Sequence, residues 1–175
     1  METTTPKAWI GCLAAYNAGH LHGRWTDLDC AESLAAECQT ILNTSPGDNP
    51  EELMVFDHQG LPLSGECSPS EALAAALIVE ECSEYDLALV VHAMGHLPPD
   101  PDPGEVKEWI EDRYQGEYGS GAIWAEEFAR DGCMEIPEWL DNYIDWERYA
   151  RDCEMSGDLY FLSLGPGTVA VLWNH

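Results

Sequence analysis

The fold-deciding stretch is Trp9-Ile10-Gly11-Cys12-Leu13-Ala14-Ala15-Tyr16, then Asn17-Ala18-Gly19, then Leu21-His22-Gly23-Arg24-Trp25. Two apolar runs joined by a short turn containing Asn and Gly predict a β-hairpin over residues 8–25. Asp29, with Glu32 three residues later, predicts the cap of a following helix. Residues 53–56 predict a short strand that ends before Gly60. The first 61 residues therefore predict a small α/β unit.

The next stretch has a helical pattern. Ser68-Pro69-Ser70-Glu71 predicts a capping box with proline at the first helical position. Ser83 is expected to begin a second helix that ends near Gly95. The run Pro98-Pro99-Asp100-Pro101-Asp102-Pro103 is the strongest breaker in the chain and predicts a boundary. Residues 62–103 therefore predict a helical middle region.

The remaining residues, 104–175, predict several helices followed by a closing hairpin. One helix is expected from Asp102 through about Arg113, one over residues 120–130 with Trp124 and Phe128 facing inward, and two more beginning at Pro137 and Asp145. The hairpin pairs residues 159–164 with 168–173 across Gly165-Pro166-Gly167. The segment Gln115-Gly116-Glu117-Tyr118 fits either a tight turn or a place near a dimer contact. The predicted fold class is α+β.

The charge is the main anomaly, since 33 acidic and seven basic residues give a net charge of −26. Residues 1–87 and residues 88–175 each carry −13, so the excess covers the whole chain. Such a charge costs stability through self-repulsion. Acids also recur three or four residues apart, where neighbours on a helix repel by roughly 0.2–0.5 kcal/mol. These pairs are Glu80/Glu84, Glu105/Glu108, Glu108/Asp112, Glu127/Asp131, Glu138/Asp141 and Asp141/Asp145.

A sequence selected only for stability would alternate its charges along such helices. The repeated like-charged spacing therefore indicates that the negative field is itself useful. For any single pair, an ordinary solvated helix surface remains the simpler interpretation, and the argument rests on the sum of the pairs. A basic groove that gains by releasing counterions from DNA would gain similarly from a protein polyanion.

The sequence offers little for a metal site or a catalytic site. His20-x-His22 and His92-x-x-x-His96 have ligand-like spacings, but no carboxylate or cysteine completes a recognisable set. Paired carboxylates are too common here to be specific, and no nucleophile motif or phosphate-binding loop is present. The seven cysteines contain no C-x-x-C pair, which favours reduced, mostly buried thiols. We expect no cofactor, no metal and no catalysed reaction.

The location predicted from the sequence is the cytoplasm. The first residues, Met1-Glu2-Thr3-Thr4-Thr5-Pro6, lack the basic start and apolar core of a secretory signal. The longest apolar runs are far too short to span a bilayer. An anionic surface would also be repelled by anionic lipid, so no membrane partner is expected.

Three segments carry a resemblance to a known family. They are Cys12-Leu13-Ala14-Ala15-Tyr16-Asn17-Ala18-Gly19 with Leu21-His22-Gly23-Arg24-Trp25; Tyr114-Gln115-Gly116-Glu117-Tyr118-Gly119-Ser120 with Ala125-Glu126-Glu127; and Tyr143-Ile144-Asp145-Trp146-Glu147-Arg148-Tyr149-Ala150-Arg151-Asp152. Together they resemble the ArdA antirestriction family, in the order in which that family has them. The middle region, about 62–103, matches the family pattern least.

The resemblance implies an elongated protein of three small domains, here residues 1–61, 62–103 and 104–175, which dimerises through the C-terminal domain. It also implies an antirestriction protein of mobile genetic elements. Such a protein binds the DNA-binding subunit of Type I restriction–modification enzymes in place of DNA, by stoichiometric blockade. It neither catalyses a reaction nor binds nucleic acid directly. The charge alone leaves an alternative open, in which the polyanion blocks a nucleoid protein, a repressor or a nuclease.

The charge of an assumed homodimer suits this role. Two chains would carry −52, as many charges as the phosphates of roughly 26 base pairs, or about 90 Å of duplex. A compact chain of this size is roughly 40 Å across, so two chains end to end would reach about 80 Å. The charge per length of such a dimer would be close to that of duplex DNA.

The residues expected to present the DNA-mimic charge are acids at the first helix and throughout the C-terminal region. They are Asp27, Asp29, Glu32, Glu105, Glu108, Glu111, Asp112, Glu117, Glu126, Glu127, Asp131, Glu135, Glu138, Asp141, Asp145, Glu147 and Asp152. An aromatic cluster is suited to the dimer interface or, equally, to a private core; its members are Trp139, Tyr143, Ile144, Trp146 and Tyr149. The family-like residues Tyr16, Asn17, Gly19, Gly23 and Trp25 are expected to be fold determinants, with the rings supplying core area.

Overall fold

The computed structural model describes residues 5–132, 136–141 and 143–174. These residues form helices and two three-stranded antiparallel sheets. In chain order the elements are β1 (Lys7–Cys12), α1 (Leu13–Asn17), β2 (Gly23–Asp27), α2 (Ala31–Thr44), β3 (Leu53–Gln59), α3 (Pro69–Glu81), α4 (Leu87–Met94), α5 (Pro103–Arg113), β4 (Tyr114–Tyr118), α6 (Gly121–Asp131), α7 (Glu138–Asp141), α8 (Trp146–Ser156), β5 (Leu159–Gly165) and β6 (Thr168–Trp173). Within the described part of the chain, no helix combines the length and apolar character that a membrane crossing requires.

The chain divides into two compact units, Met1–Lys107 and Glu108–His175, and the division falls inside α5. We call them the N-terminal unit and the C-terminal unit. The mixed α and β composition agrees with the predicted fold class. The three-domain layout, the elongated shape and the dimerisation stay predictions.

The sheet of the N-terminal unit has the strand order β2-β1-β3. The predicted hairpin is confirmed, because β1 and β2 pair antiparallel with Trp9 opposite Trp25. Ala8, Ile10 and Cys12 alternate along β1 and are fully buried. This period of two is the pattern of a strand that faces a core on one side. A bulge between Trp9 and Ile10 shifts the pairing of β1 with β3.

The hairpin is shorter than predicted. β1 ends at Cys12, and the following residues form the short helix α1 instead of continuing the strand to Tyr16. Ala14 and Ala15 favour this, since alanine has the highest helix propensity. The backbone N–H of Leu13 still donates to the carbonyl of Glu52, just before β3, so the chain leaves the sheet only after this bond. β2 accordingly begins at Gly23, and not at Leu21.

The start of α2 also differs by one residue from the prediction. The N-cap is Cys30, whose Sγ accepts a hydrogen bond from the N–H of Ser33 at 3.4 Å. Asp29 instead accepts from the N–H of Cys30 at 2.8 Å. Because Asp29 lies one residue before the N-cap position, its carboxylate bonds the N–H of the next residue, and the Cys30 thiol caps the helix. Leu34 and Ile41 bury the inner face of the helix.

The capping box at the start of α3 is confirmed. The Oγ of Ser68 accepts from the N–H of Glu71 at 3.2 Å, and the Glu71 carboxylate accepts from the N–H of Ser68 at 2.7 Å. These hydrogen bonds hold the pKa of Glu71 below its usual value. The predicted start of α4 at Ser83 is wrong, because the N-cap is Asp86, whose Oδ1 accepts from the N–H of Ala88 at 2.8 Å. A turn with the Tyr85 N–H bonded to the Cys82 carbonyl occupies the intervening residues.

The sheet of the C-terminal unit has the order β4-β6-β5, and the predicted closing hairpin is confirmed as β5 and β6. β4 was not predicted as a strand. Its residues 114–118 pair with β6, and an irregularity next to Gly116, whose φ is 133°, accommodates the Gln-Gly-Glu sequence. The local sequence suggested a turn, but the unpaired edge of β6 offers these residues backbone hydrogen bonds. A short window of sequence does not show that the edge of β6 is available as a partner.

The core of the C-terminal unit is built around Trp124, which is 2% exposed. Its ring lies 5.5 Å from the ring of Phe161 and 5.0 Å from that of Phe128. Phe128 was expected to face inward, but it stacks on the outer side of Trp124 and stays 42% exposed. The N-cap of α8 is Asp145, as predicted, with its Oδ1 accepting from the N–H of Arg148 at 2.9 Å.

Candidate functional site

The carboxylates lie on the surface of the described chain. The side chains of Glu2, Glu135, Glu138 and Asp141 fall outside the described residues, so the last three, which were predicted for the acidic surface, receive no structural account. Of the remaining 29 acids, 26 are exposed and three are half-buried, namely Glu37, Asp86 and Glu126. None of these 29 is buried. The charges of these 29 acids are therefore exposed to solvent and are not buried in the protein core.

The predicted acids occupy several elements of both units. Asp27 lies in β2, while Asp29 and Glu32 lie at the start of α2. The others lie on α5 (Glu105, Glu108, Glu111, Asp112), β4 (Glu117), α6 (Glu126, Glu127, Asp131) and α8 or its cap (Asp145, Glu147, Asp152). All but Glu126 are exposed.

Helix α5 carries the densest of these groups. Val106 and Ile110 are fully buried and define its inner side. At 3.6 residues per turn, the four acids span an arc of about 120° on the other side of the helix. They are Glu105, Glu108, Glu111 and Asp112, and we call them the α5 acidic face. Glu105 also accepts a hydrogen bond from the N–H of Asp102 at 3.0 Å, which helps to cap the helix.

Two of the predicted like-charged pairs are wrong. Glu80 and Glu84 are not neighbours on one helix, because α3 ends at Glu81. Asp141 and Asp145 are separated by the end of α7, and Asp145 caps α8 instead. The pairs Glu105/Glu108, Glu108/Asp112 and Glu127/Asp131 lie within single helices as predicted.

Five of the seven basic side chains are paired with described acids at the surface. Lys107 Nζ lies 3.0 Å from Glu84 Oε1 and 3.4 Å from Glu81 Oε1. The Glu84 hydrogen bond raises the pKa of Lys107, and the pKa of Glu84 is lowered by its own backbone N–H and then by Lys107. Four more ion pairs join Lys7 to Asp27 (3.2 Å), Arg24 to Glu37 (3.0 Å), Arg130 to Glu126 (2.8 Å) and Arg148 to Asp152 (3.9 Å).

These pairs tie up six of the described acids and leave the α5 acidic face outside any ion pair within the described chain. Among the predicted acids whose side chains are described, Asp27, Glu126 and Asp152 are paired with a basic side chain. With seven basic residues against 33 acids, most of the negative field remains uncompensated.

The predicted aromatic cluster of the C-terminal unit divides into two groups. Trp146 and Tyr149 are half-buried and pack on the core, with ring centroids 6.1 Å apart. Burial, and then the neighbouring Cys153, raise the pKa of Tyr149. Trp139 is 72% exposed and Tyr143 is 81% exposed, while Ile144 is half-buried. Trp146 and Tyr149 thus belong to the core of the C-terminal unit, whereas Trp139 and Tyr143 expose large apolar surfaces to solvent.

A second set of exposed rings, which the sequence did not predict, lies in the N-terminal unit. Tyr16 is 53% exposed and Trp25 is 44% exposed, so the expectation that they supply core area is wrong. Gly19, at φ 83°, does fill the turn role expected of it. For Trp25 the missed signal is the alternation in β1, because Trp9 lies between the buried Ala8 and Ile10 and must point to the opposite face, as does its register partner Trp25.

Two of the histidines with ligand-like spacing, His92 and His96, are close together at the end of α4. The rings of His92 and His96 lie 4.7 Å apart and nearly edge to face. Burial, and then the neighbouring His96, lower the pKa of His92. Across the residues that the structure describes, no group of three or more His, Cys, Asp or Glu side chains is arranged to hold a metal ion.

A family model described as "Antirestriction protein (ArdA)" matches residues 8–166. The match begins within β1 and ends just after β5, so it covers the sheet of the N-terminal unit and two of the three strands of the C-terminal sheet, and it leaves out β6. A search of curated proteins found no match.

Proposed function

The chain belongs to the ArdA antirestriction family, and on that premise we propose that it inhibits Type I restriction–modification enzymes by imitating the charge of duplex DNA. The inhibitor occupies the DNA-binding groove of the enzyme's DNA-binding subunit, one inhibitor assembly to one groove. It catalyses no reaction and needs no cofactor. Its place of action is the cytoplasm, where incoming DNA meets the restriction enzyme.

The observation that carries this proposal is the display of the acids. Every acid whose side chain is described reaches solvent, and only six of them are engaged by a basic side chain. A DNA-binding groove gains affinity largely by releasing counterions when its basic residues meet phosphates. A dense surface of carboxylates offers the same exchange. Association should then be fast and strongly dependent on salt.

The α5 acidic face is our candidate for the principal contact. Its four carboxylates share one side of one helix, and like-charged neighbours at this spacing repel each other. A cationic groove would relieve that repulsion on binding. The proposed homodimer would present two such faces, with Trp139 and Tyr143 as candidates for the contact between the two chains.

The test uses a purified Type I enzyme and a DNA substrate titrated with the protein at several salt concentrations. We expect cleavage to stop near one inhibitor assembly per enzyme, with apparent affinity falling steeply as salt rises. A variant of the α5 acidic face, with its glutamates changed to Gln and its aspartate to Asn, should bind about ten- to hundredfold more weakly. Failure of the unaltered protein to displace DNA would overturn the proposal.

A matched control removes four exposed acids elsewhere, through Asp48→Asn, Glu51→Gln, Glu52→Gln and Glu66→Gln. It changes the net charge by the same amount and should weaken inhibition less. Equal losses would mean that total charge, and not the α5 acidic face, governs binding. Displacement of DNA from an unrelated nucleoid protein with the same affinity would favour the alternative of a general polyanionic blocker.

A further inference from the structure

The outer face of the sheet in the N-terminal unit presents a layer of aromatic rings. Trp9 and Trp25 are directly opposite each other on β1 and β2, so their side chains share one face of the sheet. The ring of Phe56, from β3, lies 5.5 Å from that of Trp9, and the ring of Tyr16, from α1, lies 4.9 Å from that of Phe56. We call Trp9, Tyr16, Trp25 and Phe56 the aromatic platform.

The platform is broad because two glycines lie beneath it. A Cβ on Gly11 would stand 2.6 Å from an atom of the Trp9 ring and 2.8 Å from one of Phe56. A Cβ on Gly23 would stand 2.8 Å from the Trp9 ring. The Trp9 ring therefore lies across the surface left free by both glycines. Its half-buried state results from this packing, while Trp25 and Tyr16 keep about half of their surface in solvent.

Carboxylates stand on the same face as the rings. Asp57 is the register partner of Trp9, and Asp27 is the partner of Lys7, two residues before Trp9. Both acids are exposed. Lys7 lies 3.2 Å from Asp27 and offsets part of its charge. The face thus combines exposed aromatic rings with carboxylates, within a chain of net charge −26.

We propose that the aromatic platform is a docking surface for arginine side chains of a basic protein partner. The guanidinium group stacks on the faces of Trp and Tyr through cation–π attraction, and it also forms forked hydrogen bonds with carboxylates. Rings and carboxylates side by side match both properties of arginine. A lysine ammonium carries the same charge but cannot stack as a plane or bond in a fork.

The charge of the chain also decides against two other occupants. A second copy docked here would set its own Asp27 and Asp57 against a face that already carries these two acids, whereas the proposed homodimer contact lies at Trp139 and Tyr143. Single-stranded nucleic acid could stack its bases on the rings, but its phosphates would meet the same negative field without a basic groove to hold them. The inference rests on the proposed function only for the identity of the basic partner as a DNA-binding protein.

The experiment uses the full chain and two short synthetic peptides, one with arginines spaced by glycine and serine, and one with lysines in the same places. Binding is followed at about 0.15 M salt by the indole N–H signals of the tryptophans in NMR spectra, assigned through single Trp→Phe variants. We expect the arginine peptide to bind several-fold more tightly and to shift the Trp25 and Trp9 signals most. Equal binding of the two peptides would overturn the proposal.

Variants give a second line of test. Trp25→Ala should weaken the arginine peptide about threefold to tenfold and leave the lysine peptide unchanged, while Trp25→Phe should retain most of the preference. Tyr160→Ala removes a similarly exposed ring from the other unit and serves as the control. A loss of self-association in Trp25→Ala, or tighter binding of a single-stranded oligonucleotide than of the arginine peptide, would also overturn the platform's assignment.

The same variants separate this inference from the proposed function. If the unaltered protein fails to protect DNA from a Type I enzyme but discriminates arginine from lysine, then the proposed function fails and the platform stands. If the protein protects DNA and Trp25→Ala protects equally well, with no preference between the peptides, then the platform fails and the function stands. Protection that weakens together with the arginine preference would support both.

Discussion

The two units use aromatic side chains in opposite ways. In the N-terminal unit the core consists of small and aliphatic side chains such as Ala8, Ile10 and Val55, and the large rings lie on the outer face of the sheet. In the C-terminal unit a tryptophan is at the centre of the core, with Phe161 packed against it. Both units nevertheless have a three-stranded antiparallel sheet with helices.

Size offers a physical reason for the difference. The C-terminal unit spans 68 residues and the N-terminal unit 107, and a smaller body buries a smaller fraction of its surface. Large rings, which bury roughly 150–250 Å² each, compensate for that shortage. The smaller unit also carries 15 acids, against 18 in the larger one, so its acids are denser and its core has more repulsion to offset. Rings in the larger unit are therefore free to serve its surface.

The largest expected effect comes from removing one ring from each unit. Trp124→Ala should lower the free energy of unfolding of the C-terminal unit by about 3–5 kcal/mol, because it empties the centre of the core. Trp25→Ala in the N-terminal unit should cost less than about 1 kcal/mol, since nearly half of that ring is already in solvent. Denaturant unfolding followed by circular dichroism measures both.

Equal losses in the two variants would break the comparison, since they would mean that the exposed ring of Trp25 stabilises its unit as much as a buried one. A Trp124→Phe variant refines the result. It keeps a ring in the core and should recover more than half of the stability that alanine loses.

Helix caps provide the next test. Ser68→Ala should cost about 1 kcal/mol, because it removes the acceptor for the Glu71 N–H in the capping box. Ser120→Ala should cost a similar or smaller amount, since its Oγ accepts from Ile123 at 3.3 Å without a reciprocal bond. Thermal unfolding of the two variants measures both losses of stability. A much larger loss for Ser120→Ala would indicate that α6 depends on its cap more than on its packing.

Repulsion among the acids of the α5 acidic face should lower the free energy of unfolding. Glu108 has Glu105, Glu111 and Asp112 as helical neighbours, so Glu108→Gln should raise the free energy of unfolding by about 0.5 kcal/mol or more at low salt. Glu126→Gln is the matched control, because Glu126 is paired with Arg130 and its loss should be neutral or slightly destabilising. The difference between the two variants should shrink as salt is added.

The smallest effect concerns pH. The capping hydrogen bonds hold the pKa of Glu71 below its usual value, so its carboxylate stabilises the fold above the unfolded pKa of about 4.3. That contribution is lost as the pH falls through the lower, folded pKa. The stability difference between the unaltered protein and Glu71→Gln should therefore be constant above about pH 5 and fade below it. The cost of Ser120→Ala, with Ile123 at the corresponding position, should not change over the same range.

Much of the fold could be predicted because it depends on local chemistry. The capping box at Ser68, the helix from Asp102 and the closing hairpin follow from residue types at fixed spacings. The local sequence does not fix a helix start where several candidate caps lie close together. Asp29 and Ser83 both had the right chemistry, but Cys30 and Asp86 hold the capping positions.

The errors in the site have a different origin, because they concern partners distant in sequence. β4 depends on the edge of β6, and the exposure of Tyr16 and Trp25 depends on which face of the sheet the helices cover. The sequence correctly indicated an abundance of surface charge. It did not distinguish acids held by a cation, such as Glu126, from those of the α5 acidic face.

The two glycines beneath the aromatic platform differ in what their replacement would require. The atoms closest to a Cβ on Gly11 belong to the side chains of Trp9 and Phe56, whereas those closest to a Cβ on Gly23 are the Ile10 carbonyl oxygen and the Gly11 Cα. Smaller side chains at both Trp9 and Phe56 could therefore make room for alanine at position 11, but no side-chain change could do so at position 23. Among homologous chains, a larger residue at position 11 should therefore occur with smaller residues at positions 9 and 56, while position 23 should stay glycine.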